Sequence, residues 1–226
     1  RNGITIFERA LQATENNFVA MTNLGNNLAR RGQQQRAMDL YQQALRVRPD
    51  SSDTHYNLAT SLAETGQPQA AERHYREALR WQPGHSKSHN NLANLLSDTG
   101  RVPEAIQHYE ECLRLKPGNT EARFNYGITL ADVGRPADAI AQFEAAVKRE
   151  PAFTRARLQL VSLLAALGKS SEAMAHNTEL LRHEAASPEG HFNAGSFASA
   201  HGDWGTAVQH WQEAVRLRPE FTAAVH

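Results

Sequence analysis

The sequence predicts an all-α fold, built as a solenoid of antiparallel helix pairs. Alanine recurs every 34 residues, at Ala37, Ala71, Ala105, Ala139, Ala173 and Ala207. Glycine recurs at the same period, at Gly32, Gly66, Gly100, Gly134, Gly168 and Gly202. Between these markers, apolar residues fall at helical spacing, as at Leu92, Leu95 and Leu96. A fixed period in two independent columns marks stacked units that bury their apolar faces only against neighbours.

Taking Phe18 as the first position, the complete repeats are 18–51, 52–85, 86–119, 120–153, 154–187 and 188–221. A half-repeat, 1–17, precedes them, with Phe7, Ala10 and Leu11 marking one apolar helix face. Residues 222–226 read as the start of a further repeat, so the chain reads as a fragment of a longer protein.

The third repeat shows how each pair is specified. Residues 88–99 contain the helically spaced leucines of the first helix, and Gly100 ends that helix because glycine accepts a left-handed backbone. Pro103 and Glu104 suit the first turn of the second helix, where a missing amide costs nothing and an acid meets the helix dipole. Ala105, Tyr109 and Cys112 line one face of that helix, and Pro117 terminates it. Alanine where two helices cross permits close approach, and a large ring fills the space beside it. That ring column is Tyr41, Tyr75, Tyr109, Phe143 and Trp211, opposite a column of Gly25, Ala59, Ala93, Gly127 and Gly195.

The fifth repeat departs from this pattern. Asn177 replaces the ring, Val161 the small residue, Leu180 the alanine and Ala185 the proline. Without that proline, the helix over 172–183 is expected to run on towards Ser187. The sixth repeat has Ala194 and Ala198 where larger residues stand elsewhere, and Trp204 is expected to fill the freed volume. Two readings of 177–198 stand: a repacked, less stable seam, or a hinge.

These residues resemble the tetratricopeptide repeat (TPR) family. In the second repeat its pattern is matched by His55, Leu58, Ala59, Leu62, Gly66, Ala71, Tyr75, Ala78 and Pro83. The resemblance covers essentially the whole chain. It implies a right-handed α–α superhelix whose first helices line the concave side, and a role in protein–protein interaction. The run 90–96 (NNLANLL) resembles repeats of O-linked N-acetylglucosamine transferases, and residues 5–32 resemble repeats of bacterial mannosyltransferase-like membrane proteins. Those resemblances imply a substrate-recognition or regulatory domain of a larger glycosyltransferase.

The sixth position of each repeat carries an amide: Asn23, Asn57, Asn91, Asn125, Gln159 and Asn193. Asparagine is a poor helix-interior residue, so its recurrence calls for a reason. An amide both donates and accepts, and so binds a peptide backbone without selecting a side chain. The alternative is that each amide braces the neighbouring repeat. Asn26, Thr60 and Asn94 add polar positions alongside. Tyr56, Phe124 and Phe192 are candidate apolar pockets or core fillers. Glu64, Asp98 and Asp132 recur one repeat apart as a candidate acidic rim for a basic peptide, or as a solvated edge. Arg30, Lys87 and Arg155 do not share one register, so they do not reproduce the paired basic clamp of TPR cochaperones.

His74, His108, His176 and His210 recur in the second helix. At about 10 Å per repeat they stand too far apart to share a metal, and read as a polar ridge. His55, His89 and His191 read as bulky packing residues in the first helix. No phosphate-binding loop, nucleophile–base set or clustered metal ligands is present, so the segment reads as non-catalytic, without cofactor or metal. Formal net charge is zero, which gives no case for nucleic acid. No apolar run is long enough to span a bilayer. Cys112 is the lone cysteine; it reads as buried, and the lack of disulfides favours a reducing compartment such as the cytoplasm, the alternatives being periplasmic or membrane-attached placement of a longer protein.

The function expected is a scaffold binding an extended or flexible peptide in the concave groove, a basic one where the acidic rim acts. The alternatives are the glycosyltransferase domain and self-assembly through the terminal repeats.

Overall fold

A computed structural model describes residues 17–220. The half-repeat with Phe7, Ala10 and Leu11, and residues 222–226, lie outside the described residues. The described chain contains twelve α-helices and no strand. They are α1 (Phe18–Ala29), α2 (Gln34–Val47), α3 (Ser52–Glu64), α4 (Pro68–Trp81), α5 (Ser86–Asp98) and α6 (Val102–Leu115) in a first compact unit that ends at Pro117. A second unit, from Gly118, holds α7 (Thr120–Asp132), α8 (Pro136–Arg149), α9 (Thr154–Ala166), α10 (Ser170–His183), α11 (Pro188–Ala200) and α12 (Trp204–Leu217).

Within each pair the turn is specified by glycine. All six turn glycines have φ between 73 and 79°, a region closed to most L-residues. The next residue's amide reaches back to the end of the first helix, as in Gln67 N to Leu62 O at 2.9 Å and Arg101 N to Leu96 O at 2.8 Å. First helices begin on side-chain caps: Asn17, Ser51, His85, Asn119 and Ser187 each accept an amide of the first turn. Phe153, ahead of α9, makes no such bond.

The core follows the alanine column. Ala37, Ala71, Ala105, Ala139, Ala173 and Ala207 are all 0% exposed. Cys112 is likewise buried. Tyr41, Tyr75, Tyr109 and Phe143 fill the space beside them and are buried. The small residue opposite is required by space: a Cβ on Gly127 would stand 2.5 Å from Phe143 Cε1, and one on Gly25 2.5 Å from Tyr41 Cε1. In the fifth repeat Val161 on α9 takes the place of the small residue and Asn177 on α10 the place of the ring.

The first helix of the third pair spans Ser86–Asp98 and is capped by His85: Ser88 N donates to His85 Nδ1 at 3.2 Å. Two sequence expectations are corrected. The helix before Ala185 stops at His183 without its proline. The turn is held instead by Ser187 N to Glu184 O (3.1 Å), by His191 Nε2 to Ala185 O (3.0 Å) and by the Ser187 cap on Gly190 N (3.1 Å). Trp204 does not fill the space left by Ala194 and Ala198. It is the first residue of α12, points outward and is 62% exposed. Leu62, Leu96, Leu130 and Leu164, which precede Ala198 in its column, are buried, each worth about 1.5–3 kcal/mol of burial that Ala198 largely forgoes.

Candidate functional site

In the first unit, α1, α2 and α3 border an open cavity of about 390 Å³. Asn26, Tyr56, Asn57, Thr60 and Glu64 line it, with Arg30, Gln34 and Tyr41. Tyr56, Thr60 and Glu64 stand four residues apart, and so share one face of α3.

The walls are fixed from behind. Tyr41 OH donates to Asn26 Oδ1 at 2.8 Å, and burial pushes the Tyr41 phenol up to about 12, so it remains a donor at neutral pH. Thr60 Oγ1 donates to Tyr56 O at 3.0 Å and lies 3.3 Å from Tyr75 OH. Gln34 Nε2 donates to Glu64 Oε2 at 2.6 Å. The cavity lining thus carries both a cation, Arg30, and an anion, Glu64.

The remaining predicted residues divide. Asn91 is tied between helices: its Nδ2 donates to Tyr75 OH at 3.3 Å and lies 3.5 Å from Tyr56 OH, and its Oδ1 accepts from Asn90 at 3.0 Å. Asn94 Oδ1 accepts from Tyr109 OH at 2.7 Å. Asn23 is half-buried on α1, outside the cavity lining. Asn125, Gln159 and Asn193 belong to α7, α9 and α11 of the second unit, Gln159 being exposed. Phe124 packs into an aromatic stack, 5.9 Å from Phe143 and 5.5 Å from Phe153, beneath Arg155 at 4.9 Å. Phe192 is half-buried on α11, and Asp98 and Asp132 are exposed.

The four ridge histidines are half-buried, and three of them meet a first-helix histidine. Nδ1 of His55 meets Nδ1 of His74 at 3.0 Å, and His89 meets His108, and His191 meets His210, at 2.9 Å each. Each first-helix histidine also bonds a turn carbonyl six residues back: Pro49 O (2.9 Å), Pro83 O (3.0 Å) and Ala185 O. On α9 the buried Arg157 takes this role, donating to Pro151 O at 2.8 Å. The signal was a 19-residue spacing inside each repeat, which reading each column separately conceals.

Among the described residues, no three His, Cys, Asp or Glu side chains group to hold a metal. No described helix is long and apolar enough to cross a membrane.

The architecture defines a helical-repeat scaffold. Family models for the tetratricopeptide repeat match residues 50–118 and 124–191, and one for the TPR repeat matches 25–66. The chain belongs to the tetratricopeptide repeat family. No curated protein matches its sequence. Among solved structures, it is similar to PilF of Pseudomonas aeruginosa, with 24% identity over 92% of this chain and 97% of that one, TM-score 0.77. It is also similar to the C-terminal part of a TPR repeat-containing protein from Cytophaga hutchinsonii (15% identity, 98% and 92% covered, TM-score 0.79). A third is YrrB, described as a TPR protein with an unusual peptide-binding site (20% identity, 81% and 95% covered, TM-score 0.66). At these identities the likeness establishes the fold, and that fold supports a protein–protein interaction scaffold. The glycosyltransferase and mannosyltransferase resemblances gain no support from these matches.

Proposed function

We propose that the chain is a non-catalytic scaffold that binds an extended peptide segment across the α1–α3 face of its first unit. The observation that carries this reading is the convergence of Asn26, Tyr56, Asn57, Thr60 and Glu64 on one open cavity. A pre-shaped wall lowers the ordering cost on the protein side, although the peptide still pays its own. Asn57 supplies a donor and an acceptor for peptide backbone, Tyr56 an aromatic surface, and Glu64 a partner for a basic side chain. Arg30 across the mouth lets an acidic side chain sit beside a basic one. The peptide site described for YrrB is consistent with a TPR face used in this way.

The test is selection of displayed random peptides on the whole chain, followed by affinity measurement on Asn57→Ala and Glu64→Gln variants. Affinity reduced at least tenfold in either variant, with the helical melt preserved, supports the reading. Peptides whose affinity is unchanged in both variants place binding elsewhere.

A further inference from the structure

The second unit holds a separate cavity of about 450 Å³ between α10, α11 and α12. Two departures from the repeat pattern open it. Ala198 stands where Leu28, Leu62, Leu96, Leu130 and Leu164 stand on the other first helices, and Ala194 where Leu24, Leu58, Leu92, Tyr126 and Leu160 stand. Trp204, the large side chain close in sequence, projects outward instead.

At the cavity lies Asn177, 2% exposed, where the other second helices carry a tyrosine, phenylalanine or tryptophan. Its Nδ2 donates to Gly190 O at 2.9 Å. Its Oδ1 is buried and has no hydrogen-bond partner in the protein. A buried amide oxygen without a donor is costly, and an apolar residue would avoid that cost. Leu181, Phe197 and Met174 supply apolar walls. The polar groups at the rim are engaged. His201 Nδ1 donates to Phe197 O at 2.7 Å, Asp203 Oδ1 accepts from Thr206 N at 3.0 Å, and His210 pairs with His191. Asn177 Oδ1 therefore stands out as the buried acceptor still to be satisfied.

We propose that this cavity binds a small, uncharged aromatic group that carries one N–H or O–H donor, such as an indole or a phenol. The ring packs against Phe197, Leu181 and Met174, and the donor meets Asn177 Oδ1. Mostly apolar cavities of this size with one fixed polar group are the usual form of a small-ligand site. Thioether and phenyl side chains both favour aromatic neighbours. Asp203, held below the usual carboxylate range by its bonds to Thr206, stays ionised and disfavours an anionic guest. The site is independent of the α1–α3 face, so failure of one reading leaves the other standing.

The test titrates indole, phenol and benzothiophene, the last an indole-shaped ring with no N–H, into the whole chain. Chemical shifts of Leu181, Ala194 and Phe197 are followed by NMR. Saturable indole or phenol shifts at those residues, with benzothiophene at least tenfold weaker, are expected. Ala198→Leu, which restores the leucine of the other helices, should abolish binding while raising the melting temperature. No saturable shift with indole or phenol, equal binding of benzothiophene, or undiminished binding to a folded Ala198→Leu variant would overturn the proposal. N-acetyl-tryptophanamide separates the two sources of such a ring. Binding as tight as indole's supports a tryptophan side chain of a polypeptide, and binding of indole alone supports a free small molecule.

Discussion

His55 and His74 meet nitrogen to nitrogen, Nδ1 to Nδ1 at 3.0 Å, and this fixes where their protons sit. Pro49 O can only accept, so His55 carries its proton on Nε2 and presents a bare Nδ1. His74 must then donate from Nδ1. The same assignment follows for His89 with His108 and for His191 with His210. A proton added at His55 Nδ1 would face the His74 N–H and break the bond.

Acidification should therefore destabilise the fold in a defined window. Burial pushes His74 down to about 4, the adjacent His55 and then Arg73 lower it further, and Glu77 opposes. Burial also holds His108, His176 and His210 below the ordinary value. Between the unperturbed pKa of about 6.5 and the depressed values, the unfolded chain binds protons that the folded chain refuses. The stabilisation is complete above pH 6.5 and is lost as pH falls through the window. Glu72, held low by its hydrogen bond to Arg101, adds its own loss at lower pH. Thermal melts from pH 7.5 to 4 should show a falling melting temperature, and a His74→Gln/His108→Gln/His210→Gln variant should show a flatter profile. A wild-type melting temperature constant down to pH 4.5 would refute the pairing argument.

Asn177 and Val161 should be coupled. The other pairs set a ring against glycine or alanine, and a Cβ on Gly195 would stand 2.5 Å from Trp211. Asn177→Tyr alone introduces a ring against the larger Val161, and should cost about 1–3 kcal/mol as overpacking. Adding Val161→Gly makes room for it. Urea unfolding of both single variants and the double should give a favourable interaction energy above about 0.5 kcal/mol. Additive losses would show that the two positions do not share space.

The seam over 177–198 should open more readily than the equivalent stretch of the first unit. α9 lacks a side-chain cap, Asn177 leaves an acceptor unsatisfied, and Ala194 and Ala198 leave a cavity. Low local packing lowers the free energy of local opening. Amide hydrogen exchange on α10 and α11 is expected to be faster than on α3 and α4. Equal protection would mean that the cavity carries no local cost.

The helix pairs were legible because their signals are local and repeated. Gly66 and Gly100 must take positive φ, and Ala71 and Ala105 must fit a crossing, so each position constrains itself. Pairwise features were less legible. His55 reads as packing and His74 as surface until the helices bring position 4 of a repeat against position 23. Trp204 misled because volume alone does not say which way a side chain points from a first helical turn. Ala185 misled because three hydrogen bonds around Ser187 and His191 do what a proline does elsewhere. The amide ladder was ambiguous for the same reason: bracing of the kind Asn91 makes depends on the partner hydroxyl, which only the fold supplies.

That ambiguity yields a decisive comparison between Asn91 and Asn57, one repeat apart. Asn91 donates to Tyr75 OH and sits by Tyr56 OH, so it joins α5 to α3 and α4. Burial already raises the Tyr75 phenol, which keeps its hydroxyl protonated and in need of partners. Asn91→Ala removes one of them and should lower stability by about 0.5–1.5 kcal/mol, the net worth of a hydrogen bond. Asn57 lines the open cavity instead. Asparagine is a weaker helix former than alanine, so Asn57→Ala should leave stability unchanged or raise it by up to about 0.5 kcal/mol. Urea unfolding of the two variants measures both differences. If both lose stability equally, the amides are bracing throughout and the α1–α3 face loses its best argument. If only Asn91→Ala does, Asn57 is a side chain the fold does not need, which leaves binding as the reason for its presence.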